Sequence, residues 1–224
     1  MSDTSQALAV EPEAHAVAPE ELAARVASKL CHDFISSAQA IVSGLDLIDD
    51  PSMKDMHDDA MELISTSTRK LVDQLSFARV AFGAAQGVDL FDCVELGRMT
   101  GAVYSTVRAE LDWAVPMAQL PKAPAQVLAN LAQLAAGALP LGGVARLEAS
   151  QDADGYVISA IARGPKARLH AEVEGGLAGR PLGDGLGGRW VQPYYIAVLT
   201  HAAGGTIEAE AADELVTIKA RIPG

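Results

Sequence analysis

Between residues 20 and 48 apolar side chains return at mixed three- and four-residue spacing: Leu22, Val26, Leu30, Phe34, Ile41, Leu45 and Ile48. That period predicts one long amphipathic helix. Arg25, Ser28, Lys29, His32, Ser36, Gln39 and Ser43 fall on the opposite side, and His32 lies roughly 190° from the centre of the apolar stripe at about 100° per residue. The histidine is therefore presented to solvent rather than packed. Pro19, Glu20 and Glu21 suit the start of this helix, and Asp49-Asp50-Pro51 suits its end. A second stripe, Met56, Ala60, Leu63, Ile64, Leu71, Leu75, Ala78 and Phe82, predicts another helix from Met53 to Phe82.

Two long helices joined by a short turn form an antiparallel hairpin, which cannot cover both stripes alone. Pairing with a second copy into a four-helix bundle is the expected solution, so the chain is read as a homodimer. Coverage by the carboxy-terminal half is the alternative. Small residues from Gly83 to Gly87 then mark a linker, after which helices and strands alternate. Phe91 to Val107, Pro124 to Leu139 and Trp190 to Ala203 read as helices. Leu111 to Val115 reads as a short strand, Val144 to Ala149 with Tyr156 to Ala162 as a hairpin, and Thr206 to Glu210 with Leu215 to Arg221 as another. A Gly-rich stretch runs from Gly175 to Gly188. The predicted class is α+β: residues 1–18 a flexible tail, 19–83 the helical hairpin, 84–90 a linker and 91–224 an α/β sandwich.

Composition narrows the function. Half of the 224 residues are apolar but only 4% are aromatic, so the interior is built from Ala, Val, Leu and Ile. A net charge of -12 argues against nucleic acid or an anionic membrane as partner. No apolar run approaches the ~18 residues of a membrane span, and Asp3, Glu11, Glu13 and Glu20 do not fit a secretion signal. Cys31 and Cys93 read as reduced thiols of a cytoplasmic protein. Neither stands at a metal-ligand spacing, so no metal or other cofactor is expected on the chain.

An exposed imidazole on a rigid rod is what a phosphoryl carrier needs, because the ring must enter another protein's active site without rearranging its own backbone. Asp33 follows His32 at once and is a candidate for orienting the ring tautomer. Lys29 lies one turn before His32 and Ser36 one turn after it, bordering the incoming group. Gln39 and Ser43 extend the strip as docking candidates, and Arg25 with Lys29 forms a local basic patch. His15, His57, His170 and His201 lack this setting.

The order of parts resembles the core of a sensor histidine kinase. His32-Asp33 resembles the phosphoacceptor box, Gln126-Val127-Leu128-Ala129-Asn130-Leu131 the start of the N box, Gly183-Asp184-Gly185-Leu186-Gly187 the late Gly-rich loop, and His201 to Ile207 the link to the following strand. The departures are specific. The second N-box asparagine, a magnesium ligand in kinases, falls on Leu134, which offers no oxygen donor. The adenine-recognising loop aligns with Ala162-Arg163-Gly164-Pro165-Lys166, where the carboxylate has become Ala162 and a flexible glycine Lys166.

The chain is thereby identified as a member of the histidine phosphotransferases built as kinase-like dimers with a degenerate ATP-binding domain. The resemblance implies phosphoryl transfer without ATP-dependent kinase activity. It also implies a donor, the receiver domain of a CckA-type hybrid histidine kinase, and acceptors, CtrA-type and CpdR-type response regulators, with Mg²⁺ supplied by the receiver. The competing readings are a kinase with a diverged nucleotide site and a non-catalytic dimeric scaffold for receivers.

Overall fold

A computed structural model of the chain describes residues 17–83, 90–180 and 189–224. Of the expected tail (1–18), linker (84–90) and Gly-rich stretch (175–188), residues 1–16, 84–89 and 181–188 lie outside the described residues, while Val17 is packed on Tyr194 and Leu90 begins a strand, unlike a free tail and linker. Helix α1 (Pro19–Asp49) carries Pro19 in its first turn with Glu20 and Glu21 against the positive end of its dipole. Asp50 ends it, and its Oδ1 accepts from Ser52 N at 2.8 Å to start a 3-10 turn over Pro51–Met56. Helix α2 (His57–Ala81) thus begins later than the apolar period predicts. The cause is local: Pro51 and the Asp50 cap favour the tighter turn, and Met53 leaves helical geometry at φ -105°, ψ 25°.

The hairpin seam differs from the expected stripe. α1 buries Ser37 and Gly44 and α2 buries Ala60 and Ser67 along their lengths, so the helices meet through small residues. A Cβ on Gly44 would stand 2.6 Å from Ile64 Cγ1 and 3.1 Å from the Ala60 carbonyl oxygen, so only glycine permits this approach. Ser37 Oγ donates to Gln74 Oε1 across the seam at 3.0 Å. Larger apolar groups are left outside: Ile35, Val42 and Leu45 of α1 and Met61, Val72 and Leu75 of α2 are each about half exposed. Counted at about 100° per residue, both sets fall on one side of the hairpin.

Near its start α1 turns to its own chain. Val17, Leu22 and Val26 pack on Trp190, Val191 and Tyr194, and Val17 N donates to Tyr194 Oη at 3.1 Å. The carboxy-terminal half therefore does cover the first end of the α1 stripe, the alternative raised above, while the middle of the hairpin stays open.

The second unit is a two-layer sandwich. Its five-stranded sheet runs β2-β4-β5-β7-β6, with β2 (Ala109–Ala114), β4 (Gly143–Asp152), β5 (Gly155–Arg163), β6 (Thr206–Ala212) and β7 (Leu215–Pro223). Only the β2·β4 pair is parallel. Large and small side chains alternate across the register: Leu147 faces Ala160, which faces Ile218; Ala149 faces Ile158, which faces Ala220. Such rows fill a core without aromatics. Helix α4 (Lys122–Gly137) lies over them with Val127, Leu128, Leu131 and Ala132 all at 0% exposure. Helices α3 (Cys93–Tyr104), α5 (Ala171–Leu177) and α6 (Val191–Ala202) complete the layer.

Two elements depart from the predicted map. Leu90–Asp92 is a strand, β1, paired with β3 (Gln119–Pro121), and the helix expected from Phe91 starts only at Cys93. Asp92 caps it, accepting from Glu95 N at 2.9 Å. In the expected Gly-rich stretch, α5 already runs through Gly175 and Gly176. Gly176 is where α5 meets α6, with any Cβ 2.9 Å from the Trp190 carbonyl oxygen.

Candidate functional site

Helix α1 presents His32 with 88% of its side chain exposed, in the middle of an unbroken helix of 31 residues. The ring borders a cavity of about 670 Å³ between the hairpin and the sandwich. Lys29, Asp33, Ser36 and Gln39 of α1 line it, and so do Lys70, Asp73 and Gln74 of α2. Val103, Thr106, Gln133 and Gln192 close its far side. Lys70 and Asp73 were not among the sequence-predicted residues. The signal was available, since both stand on the α2 face that turns toward His32 once the seam through Ser67 and Gln74 is fixed.

The expected basic patch is neutralised. Arg25 is held by Glu21, with Nε and Nη2 at 2.9 and 2.7 Å from Oε1. Lys29 Nζ lies 2.6 Å from Asp33 Oδ2. Both are i,i+4 pairs along α1, the spacing at which helix neighbours meet. Asp33 therefore reaches for Lys29, and its Oδ1 stands 3.8 Å from His32 Nδ1, beyond hydrogen-bond range. The imidazole stays largely in solvent, with no hydrogen-bond partner among the described residues. Ser36, Gln39 and Ser43 are exposed on the same helix; Ser36 and Gln39 line the cavity and Ser43 does not.

The residues that the kinase resemblance assigns to nucleotide and metal are used otherwise. Asn130 is wholly buried; its Nδ2 donates to the Ala81 and Gln126 carbonyls at 2.8 and 2.9 Å, and its Oδ1 accepts from Gln192 Nε2 at 3.0 Å. Gln126 Nε2 donates to the Gly83 carbonyl at 2.8 Å. These side chains satisfy the orphan carbonyls at the end of α2 and staple the hairpin to the sandwich. Leu134 packs against the core, and Ala162 is buried in β5. A magnesium-bridged nucleotide does not fit this set: the one N-box amide is spent, its companion is apolar, and no carboxylate stands at the adenine position. Among the described residues no cluster of three or more His, Cys, Asp or Glu could hold a metal ion. Nor is any described helix long and apolar enough to cross a membrane.

An exposed histidine on a helical hairpin joined to an α/β sandwich is the arrangement of a phosphoryl-transfer protein. Residues 94–215 match the histidine phosphotransferase C-terminal domain family. The chain is 32% identical over 204 residues to the protein phosphotransferase ChpT of Brucella abortus (strain 2308), covering 89% of this chain and 95% of that protein. The solved structure of a bacterial phosphotransferase superposes with a TM-score of 0.81 at 27% identity, over 93% of this chain and 99% of that one. The catalytic domain of the histidine kinase ThkA aligns at a TM-score of 0.47 and 17% identity, over 60% of this chain and 93% of that one. The chain belongs to the histidine phosphotransferase family, and its role is phosphotransfer within a phosphorelay.

Proposed function

We propose that His32 is the phosphoacceptor, taking the group from the receiver domain of a CckA-type hybrid histidine kinase and passing it to the receivers of CtrA-type and CpdR-type response regulators. The observation that carries this reading is the 88% exposed ring on a rigid helix beside an open cavity. A ring nitrogen of the neutral imidazole attacks phosphorus in line, the bond to the aspartyl oxygen breaks, and the carboxylate leaves with the electron pair. Transfer onward reverses these steps on another receiver's aspartate. The receiver supplies the Mg²⁺ that stabilises the transferring charge. This chain supplies position: α1 fixes the ring, and Ser36, Gln39, Ser43 and the paired Arg25 and Lys29 form the docking strip. Asp33 acts on the ring indirectly, by holding Lys29 against the helix.

The open apolar side formed by Ile35, Val42, Leu45, Met61, Val72 and Leu75 is covered by a second copy, giving a four-helix bundle that leaves His32 free. The nucleotide positions described above support a carrier that does not phosphorylate itself from ATP.

The test is a transfer assay from a phosphorylated receiver to the purified protein. Label is expected on the wild type and on none of the His32→Ala variant. Incubation with labelled ATP alone is expected to leave the protein unlabelled. Label on His32→Ala, or self-labelling from ATP, would overturn the reading.

A further inference from the structure

A second cavity, of about 410 Å³, opens between the end of α4 and α5, on the side of Lys29 away from His32. Among the described residues its permanently charged lining is cationic, Lys29, Arg168 and Arg189, with His170 beside them and no Asp or Glu. That is unexpected in a chain of net charge -12. Among the described residues neither Arg168 nor Arg189 pairs with a carboxylate. Arg189 Nη1 instead lies 3.4 Å from His170 Nδ1. Lys29 already has Asp33 as its counter-ion, but Arg168 and Arg189 border one cleft with none among the described residues, and like charges repel, a cost that a bound anion would remove.

The rest of the wall is apolar. Leu134, Leu169 and Val173 line the cleft beside the cations. One pole attracts charge and the other an apolar or planar body. We propose that this cleft binds a small phosphate ester with an apolar body, held directly by the Arg168 and Arg189 guanidiniums and without a divalent metal. Guanidinium forks match phosphate oxygens two at a time and need no bridging ion. Burial and the neighbouring Arg189 and Arg168 hold His170 below its ordinary range, while Glu172 opposes this from outside the cavity. His170 is thereby biased toward its neutral form, in which Nδ1 can accept from Arg189 Nη1. Because Lys29 borders both cavities, an anion here competes with Asp33 for the Lys29 ammonium, one helical turn from His32.

Calorimetric titration of the full chain with 1-naphthyl phosphate in EDTA tests this. Saturable binding is expected, weakened at least about tenfold by Arg168→Gln with Arg189→Gln, the loss of two charge-assisted contacts. Uncharged 1-naphthol is expected not to compete, and methyl resonances of Leu134, Leu169 and Val173 are expected to shift. Absence of saturable heat at millimolar ligand, a requirement for Mg²⁺, or equal binding by the double variant would overturn the proposal. So would a double variant that keeps the ester but loses affinity for the donor receiver, because the arginines would then serve protein docking. Transfer to His32 is scored separately, so failure here and failure of the relay reading are distinguishable.

Discussion

The hairpin and the sandwich are made from similar residues and finish their interiors in opposite ways. In the sandwich, Leu128, Leu131, Leu147, Ile158, Ile196 and Ile218 are all at or below 1% exposure. In the hairpin the buried seam is Ser37, Gly44, Ala60 and Ser67, while Ile35, Val42, Met61 and Val72 each keep more than half of their surface in water. One unit closes on itself; the other leaves apolar groups at its surface, Ile35 among them beside His32 at the cavity and Val42 and Leu45 further along α1.

The comparison breaks most sharply at the open face. Val42→Asp with Leu75→Asp places uncompensated carboxylates in the proposed bundle core, and buried unpaired charge costs about 3–5 kcal/mol. Association is expected to fall by about a thousandfold or more, so light scattering is expected to show a dimer for the wild type and a monomer for the variant. Near-UV circular dichroism of the sandwich, dominated by Trp113 and Trp190, is expected to persist. A wild type that is monomeric at high concentration would remove the dimer from the account.

A smaller effect separates the two cores. Leu131→Ala or Ile158→Ala deletes fully buried groups and is expected to cost about 2–5 kcal/mol, read as a fall in the guanidinium midpoint. Val72→Ala, measured on the dissociated chain, removes a half-exposed group and is expected to shift stability by less than about 0.5 kcal/mol. Equal losses would mean that the hairpin is as tightly finished as the sheet.

Between the two units stands Asn130. Asn130→Ala leaves the Ala81 and Gln126 carbonyls and the Gln192 amide without that partner, at an expected cost of about 1–3 kcal/mol. Amide exchange at the end of α2 is expected to quicken while exchange in β4 and β5 does not. Uniform quickening would show that the staple belongs to the sandwich core rather than to the junction.

How far this was legible from the sequence follows from the length of each pattern. The 31-residue α1 and the hairpins β4–β5 and β6–β7 carry many repeats of their period, and the predicted spans lie within a few residues of the observed ones. β1 and β3 are three residues each, too short for alternation to register, though Asp92-x-x-Glu95 is a capping signal that places the α3 start. The seam departs from the periodic stripe because periodicity gathers all large apolar residues onto one side, whereas close helix packing selects Ser37 and Gly44 and releases Leu45 to the surface. His32 was legible because exposure on a helix is an angle that can be counted. The pairing of Lys29 with Asp33 was countable as well, at i,i+4, but the adjacency of Asp33 to His32 drew attention to the wrong partner. Lys70 and Asp73 needed the packing of α2 on α1, which no local pattern encodes.

The smallest effect tests a backbone turn at the edge of the sandwich. Lys166 has φ +57°, the left-handed conformation that glycine takes readily, and it stands where the kinase resemblance places a glycine. The turn is held by Gly164, whose N donates to the Glu214 carbonyl at 3.1 Å and whose own carbonyl accepts from Ala167 N at 3.0 Å. Holding a Cβ in this region costs about 1–2 kcal/mol, and glycine returns part of that through the freedom of its unfolded chain, about 0.5–1 kcal/mol. Lys166→Gly is therefore expected to stabilise the sandwich by about 0.5 kcal/mol, whereas Lys166→Val, a β-branched residue there, is expected to destabilise it. Opposite signs in the two midpoints would show that the left-handed conformation at residue 166 is imposed by the turn and not by its side chain. Matching signs would mean that the turn relaxes around its side chain, and that the closed core of this unit does not extend to its loops.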